Sequence, residues 1–446
     1  MYFLIIKQFI RSKTAVLAFV ILFLMGMISI LIGKQFLSKQ ENTIAEITRQ
    51  QQEHIERNVT YHKDNLGLLL YYVRFALVNE TDNLAALSVG QRDVNPSVRS
   101  VTIRNLEGQK YDTDLNNPSN LQSGNLDLGF VIIYLFPLFI IATTFNLLSE
   151  ESETGTWRLI AIQSKSKLRY LLVKLSIRAL LLYSVLIMLF LAATVTLSLH
   201  LNEKLFAFIA LSIVYLTFWF ALCFWIVSFQ RSSSFNVLTL LSLWVALALL
   251  LPASVNNFVT NRYPVPEALE TMIKQRDGYH EKWDLPREAT MNKFFAHYPQ
   301  FEKYASSAPG FNWLWYYAMQ QMGDDESAEY SRSMREKIMQ REQTSRLISL
   351  AIPTMHTQLL FNDVARTSLS NHMRFLDKTD EFHERTRLYF YPKIFQNEPV
   401  ENENWDEFKP EYISERSDFN WLNGLSPLAL ITLIILFLTI LNTRRI

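Results

Sequence analysis

Residues 128–159 read LGFVIIYLFPLFIIATTFNLLSEESETGTWRL. The first 21, Leu128 to Leu148, carry no Asp, Glu, Lys or Arg. About 20 apolar residues are what a helix needs to cross the roughly 30 Å hydrocarbon layer of a bilayer. Directly after the run come Glu150, Glu151 and Glu153, then Gly155-Thr156, then Arg158. A membrane-crossing helix followed by a charged loop is the first reading. Five further charge-free runs repeat it: Thr14 to Gly33, Ala179 to Leu199, Leu205 to Phe229, Phe235 to Val255 and Leu425 to Asn442.

The expected fold class is therefore mainly α and polytopic, with six transmembrane helices over 14–33, 128–148, 179–199, 205–229, 235–255 and 425–442. The first run is too long for the apolar part of a cleaved signal peptide, and Gly33-Lys34-Gln35-Phe36 offers no small-residue cleavage pattern, so it reads as a retained anchor. Lys and Arg beside the spans set the orientation, because positively charged loops stay cytoplasmic. Placing both termini in the cytoplasm gathers 12 basic and three acidic residues there and leaves 31 basic and 39 acidic residues outside. The formal net charge of +1 is then a cancellation across a membrane.

Two large extracytoplasmic regions follow, 34–127 and 256–424. In the first, Ile44, Ile47, Ile55, Val59, Leu66 and Leu69 predict a helix from Ser38 to about Asn79, rising from span one. Val101-Thr102-Ile103, a turn at Asn105 to Gly108 and Tyr111 predict a small hairpin. The second, opened by Tyr263-Pro264-Val265-Pro266, reads as mostly helical and long enough for a core of its own. Phe311, Trp313, Trp315, Tyr316 and Tyr317 suit that core better than an apolar platform for a ligand. Residues 1–13 alternate apolar positions with Lys7 and Arg11 and predict an amphipathic helix lying on the membrane surface.

Catalytic chemistry has little to stand on. Cys223 is the only cysteine, and no His-Glu-x-x-His, Cys-x-x-Cys or Gly-x-Ser-x-Gly pattern occurs. His372, Glu381, His383 and Glu384 come nearest to a ligand cluster, yet 11 residues of helix would part the histidines by about 16 Å. The spans hold neither a carboxylate nor a histidine, against an intramembrane protease or a proton-coupled carrier. The phosphate loop Gly-x-x-x-x-Gly-Lys-Ser/Thr is missing, so energy for any transport must come from another chain. No metal, no cofactor in this chain and no nucleic-acid partner are expected. Pro137, inside span two, lacks an N–H and marks a candidate bend.

The loop after span two is the informative part. Acid, Gly-Thr and then base, ending in Ser164-Lys165-Ser166-Lys167-Leu168-Arg169-Tyr170 and Lys174-Leu175, predict two short capped helices over 149–178. Here the chain resembles the permease subunits of ABC-2 type transporters, in which a Glu-x-Glu-x-Gly-Thr segment follows the second span and a short helix ending near a Lys-Leu pair docks into the ATPase. Glu151-Ser152-Glu153-Thr154-Gly155-Thr156 and Lys174-Leu175 carry the match. Trp157 and Ser164-Lys165-Ser166 depart from the usual pattern. Tyr263 to Pro266 and Asp363 to His383 are similar to the branch with a large outer domain, of unknown function, between spans five and six.

The resemblance implies a bacterial inner-membrane subunit, non-catalytic, an exporter, working with cytoplasmic ABC ATPase subunits that hold ATP and Mg²⁺, with a second permease copy or a sister permease, with membrane lipid and with periplasmic partners. It makes Glu151, Glu153, Gly155, Thr156, Lys165, Lys167, Leu168, Arg169 and Tyr170 the expected ATPase-coupling residues. Two rival readings remain open: a membrane-anchored sensor or scaffold with binding domains outside, and an ATPase-driven mechanotransmitter that passes no substrate.

Overall fold

A backbone in hydrocarbon has no water to bond to, so each charge-free run must close its own hydrogen bonds, and a helix does this within one segment. The computed structural model describes residues 7, 11–110, 125–157, 162, 167–305, 310–414 and 419–443. It holds six helices long and apolar enough to cross a membrane: Lys13–Tyr61, Leu128–Glu153, Leu168–Thr196, Glu203–Val227, Ser233–Arg262 and Trp421–Thr443, spans one to six. Several start on side-chain caps. Asp127 accepts from Phe130 N at 2.7 Å, Asn202 from Leu205 N at 3.1 Å and Ser232 from Phe235 N at 3.4 Å.

Span four is the centre of the bundle, with Phe208, Tyr215 and Trp219 fully buried and two thirds (67%) of its most apolar stretch covered, whereas only 11% of the corresponding stretch of span five is covered. Span one is one unbroken helix of 49 residues, about 74 Å at 1.5 Å per residue. It leaves the bundle and enters a second body, where Ile55 is fully buried.

That second body is built from both inter-span regions. Helices Glu267–His280, Arg287–His297, Trp313–Ser349, Pro353–Val364 and Leu369–Phe395 come from the region before span six. Ile55, Leu69, Phe75, Leu77 and Val101 from the region before span two share one core with Phe294, Trp315, Tyr317, Phe390 and Tyr391. The hydroxyl of Tyr317 donates to Gly67 O at 3.0 Å across this seam. The second region was expected to bury a core of its own; it instead closes over the first. Of the aromatic cluster, Trp315, Tyr316 and Tyr317 are buried in that core and Phe311 is exposed.

Three local expectations are corrected. The helix foreseen to Asn79 ends at Tyr61; a short helix Leu66–Tyr72 follows, and Phe75–Asn79 is strand β1, buried at every position. The foreseen hairpin is absent among the described residues: β2, Val98–Val101, pairs backwards with β1 in antiparallel register, Phe75 opposite Val101, and Glu107–Lys110 is helical. β3, Glu411–Ile413, pairs with β1 in parallel, so the small sheet, in the order β2-β1-β3, is itself shared between the regions. Third, the loop expected over 149–178 is shorter, because the helix that becomes span three begins at Lys167 and runs unbroken to Thr196. The surface helix expected over 1–13 lies outside the described residues apart from Lys7 and 11–13, as does Tyr111.

One buried arginine ties the shared core. Arg387 donates through Nε to Ile103 O at 3.1 Å and through Nη2 to Arg104 O at 2.6 Å and Asp324 Oδ2 at 2.8 Å. Asp324 in turn accepts from Leu106 N at 2.9 Å and Glu107 N at 3.1 Å. Burial pushes the Asp324 carboxyl up from the ordinary value, and the Arg387 guanidinium beside it opposes that. Removing one partner of a buried pair strands the other, at a cost of about 3–5 kcal/mol. Arg387→Ala is therefore expected to loosen the seam and open residues 98–110 to limited proteolysis, while spans one to six remain in the membrane fraction.

Two histidines give this body an acid limit. Burial first, then Arg99 and Arg92, pushes His372 down to about 4 from 6.5. Burial, with Arg387 nearby, also holds His383 well below the ordinary imidazole value. Both rings are neutral in the folded chain and gain a proton on unfolding, so their contribution is complete above pH 6.5 and is lost as the pH falls toward 4. Thermal midpoints of the detergent-solubilised protein should drop over that window, and His372→Gln should flatten the drop.

Candidate functional site

At the end of span two farthest from the shared domain, residues 149–153 form one helical turn, Ser149–Glu153. Positions two apart on a helix point about 200° apart, nearly opposite ways. Glu151 and Glu153 accordingly grip different helices. Glu151 Oε1 accepts from Tyr170 Oη at 2.9 Å and Lys174 Nζ at 3.1 Å, both on the helix of span three. Its other oxygen takes the Thr156 hydroxyl at 2.5 Å. Glu153 accepts from Ser233 N at 2.8 Å and Ser233 Oγ at 2.9 Å, at the first turn of span five. A carboxylate there meets unpaired N–H groups and the positive end of the helix dipole.

The surroundings tighten this clamp. Lys174 also donates to Leu147 O at 3.1 Å, Ser149 Oγ lies 2.8 Å from Ser233 Oγ, and Asn236 Nδ2 donates to Phe145 O at 3.0 Å. Leu147, Leu148, Leu171, Phe224 and Val227 form a small core beneath it, against which Trp157 and Tyr170 pack. Gly155 has φ +75, and no atom lies within 4 Å of where a Cβ would sit. Backbone conformation alone, not space, calls for glycine there. The Thr154 hydroxyl, donating to Glu150 O at 2.8 Å, closes the turn.

Of the nine loop residues singled out from sequence, the structure brings Glu151, Glu153, Thr156 and Tyr170 together around this clamp, with Gly155 shaping the turn. Leu168 and Arg169 lie on the outer side, both exposed. Lys165 lies outside the described residues, and Lys167 is described only as the first residue of its helix. Sequence reasoning missed Lys174 as the ion-pair partner of Glu151, and missed Ser233, Asn236 and Tyr215. Lys174 was visible as half of the Lys-Leu pair; the others carried no signal short of the fold.

Pro137 has a more specific environment than a simple bend. Val131–Leu135 is a π-turn, in which Phe136 N reaches back to Val131 O, and Pro137 follows at once. The carbonyl four residues before Pro137 is Ile133 O, which proline cannot serve; the Tyr215 hydroxyl of span four donates to it at 2.8 Å. Trp244 Nε1 of span five donates to the neighbouring Tyr134 O at 3.2 Å. Span five repeats the device: a π-turn at Ala246–Leu250, then Pro252. Five residues before that proline, Leu247 O accepts from the Thr354 hydroxyl of helix Pro353–Val364.

That helix is the joint between bundle and domain. His356 Nε2 pairs with Gly424 O at 3.1 Å at the start of span six, and Phe361 stacks on Phe208 of span four with centroids 3.9 Å apart. Just beyond it, Thr367 Oγ1 donates to Ser88 O at 2.9 Å, and Val89 N donates to Asp127 Oδ2 at 2.8 Å. Spans two, four, five and six thus all meet one small plate of the domain.

Among the described residues no group of three His, Cys, Asp or Glu could hold a metal ion. Cys223 is buried in span four.

Residues 94–215 match the family described as ABC-2 membrane transporter related, and residues 268–412 match a domain of unknown function, DUF3526. The first stretch contains span two, the Glu151 to Thr156 loop and span three, but not the span-five side of the clamp; the second is most of the domain region before span six. Together they bear out the resemblance to an ABC-2 permease with a large additional domain, and they support a permease-type membrane subunit. No curated protein and no solved structure matches the chain.

Glu151→Gln and Lys174→Met should each lower the thermal midpoint of the solubilised chain, because each leaves a largely buried charge without its counter-charge, at a cost of about 1–3 kcal/mol. The double variant should sit closer to the unaltered protein than either single one, as expected for a mutually dependent pair.

Proposed function

We propose that the chain is the permease subunit of an ABC-2 type transporter, an exporter in a bacterial cytoplasmic membrane, driven by a separate ATPase. The clamp carries this reading: within the matched stretch, the Glu-x-Glu-x-Gly-Thr loop fastens one carboxylate to span three and the other to span five. In this reading both termini and the loop 149–178 face the cytoplasm, and the large domain lies outside.

ATP and Mg²⁺ belong to the partner ATPase. Its closure presses on the loop around Lys165, Lys167, Leu168 and Arg169. Because Glu151 is bonded to Tyr170 and Lys174, and Glu153 to Ser233, a push on that loop is delivered to spans three and five together rather than dissipated in side-chain motion. The π-turns before Pro137 and Pro252 are where spans two and five can yield, since their backbone acceptors are served by side chains of neighbouring helices rather than by the ladder itself.

A second reading, in which ATPase work moves the outer domain without passing a substrate, draws on the joint at Pro353–Val364, where Thr354 serves span five and His356 span six.

Co-expressed with its ATPase and solubilised in mild detergent, the tagged chain is expected to retain the ATPase through affinity purification. Reversing two charges at the contact, Lys165→Glu with Lys167→Glu, should weaken that association by about tenfold or more. Purification of the unaltered chain free of any ATPase would sink the permease reading. ATP-dependent uptake into inside-out vesicles separates substrate passage from movement alone.

A further inference from the structure

Helix Glu267–His280, which follows span five across the Tyr263 to Pro266 turn, carries its amphipathic character the wrong way round. Its buried stripe is Glu267, Thr271, Gln275 and Gly278, set against helix Trp313–Ser349. Contact there is close: a Cβ on Gly278 would stand 3.4 Å from Gly323 Cα, and one on Gly323 would stand 3.0 Å from Gln275 O. Glu267 pairs with Lys337 on the facing helix. The apolar positions point away. Leu269, Met272 and Ile273, spaced i, i+3, i+4, are 66%, 50% and 46% exposed. A surface helix ordinarily turns such a stripe to the core, so this one is complete only when something else covers it.

The charges beside the stripe indicate what. Glu270 and Arg276 flank Ile273 at equal distance, three residues before and three after. Among the described residues neither has an ion-pair or hydrogen-bond partner. An identical helix laid antiparallel across a two-fold axis through Ile273 would set Ile273 on Ile273, and Glu270 opposite Arg276 twice. Self-complementarity of this kind is what an isologous interface requires, and neither a lipid surface nor an unrelated protein would need it. Span five, which precedes this helix, is also rich in exposed apolar residues: Leu238, Leu249, Leu250 and Phe258 are each more than 45% exposed.

We propose that Glu267–His280 is a self-pairing helix, the site at which the domains of two copies of this chain meet. The proposal rests on the permease reading, in which two permeases stand side by side, and adds which surface of the domain joins them and that the partner is identical.

Cross-linking in native membranes tests it, in a chain with Cys223→Ala and Ile273→Cys treated with a short bismaleimide. A band of twice the chain mass, containing this chain alone, is expected. Glu270→Arg or Arg276→Glu in that background should lower its yield about tenfold, and the two together should restore it. A second chain, with Cys223→Ala and Leu249→Cys, reports pairing through span five. Cross-linking at position 249 but not at 273 overturns the helix proposal and leaves paired permeases standing; cross-linking at neither, with a monomeric mass in detergent, removes both. Linkage of position 273 to a different protein, or its protection from a water-soluble maleimide without any cross-link, as burial in the bilayer would give, also overturns it.

Discussion

A carbonyl inside a bilayer must find a donor in the protein, and much of this structure follows from that demand. Ordinary helix satisfies it along most of the six spans. At Pro137 and Pro252 the ladder fails, and at each place the failure is met from outside the helix: Tyr215 for Ile133 O, Thr354 for Leu247 O. The cost of leaving those oxygens unpaired ties span two to span four, and ties span five to a helix of the domain. Each weak point of a span is thus also a point of attachment.

The two ends of the bundle are fastened by different means. At one end ionised groups do the work, with Glu151 on Lys174 and Glu153 on the first turn of span five. At the other, backbone groups, the Asp127 carboxyl and the side chains of His356 and Thr367 make a plate together with Ser88 and Val89. Two helical connections join the plate and the bundle to the domain core: span one runs as a single helix from the bundle to the core residue Ile55, and Pro353–Val364 follows Trp313–Ser349 within a few residues. Spans four, five and six each contact this joint, through Phe208, Leu247 and Gly424.

The domain shows why a large inter-span region need not be an independent unit. Its core and its three-stranded sheet draw on both regions of the chain, and its buried Arg387–Asp324 pair, which lies within the second, bonds the backbone of the first. Arg387 illustrates the logic, since a guanidinium can be held in an apolar interior only if nearly all its donors are used, and the acceptors come from Ile103 and Arg104 in one region and Asp324 in the other.

Six spans, the charged loop after span two and the likeness to ABC-2 permeases were legible in the sequence because they are local. A charge-free run of 20 residues means the same thing in any context, and Glu151 to Thr156 are six consecutive residues. Strand β1 was read as helix because its five residues are buried on both faces and show no alternation, and its partners at Val98–Val101 and Glu411–Ile413 are distant in the chain. The extension of span three back to Lys167 was hidden by its own lysines and arginines, which mark the membrane boundary but do not end a helix. By itself the sequence determined where the chain enters the membrane and which residue types stand at the clamp. Only the tertiary structure decided what those residues hold, because Lys174, Ser233, Tyr215 and Thr354 acquire their roles from carbonyls and carboxylates that folding brings beside them, and no pattern along the chain encodes that meeting.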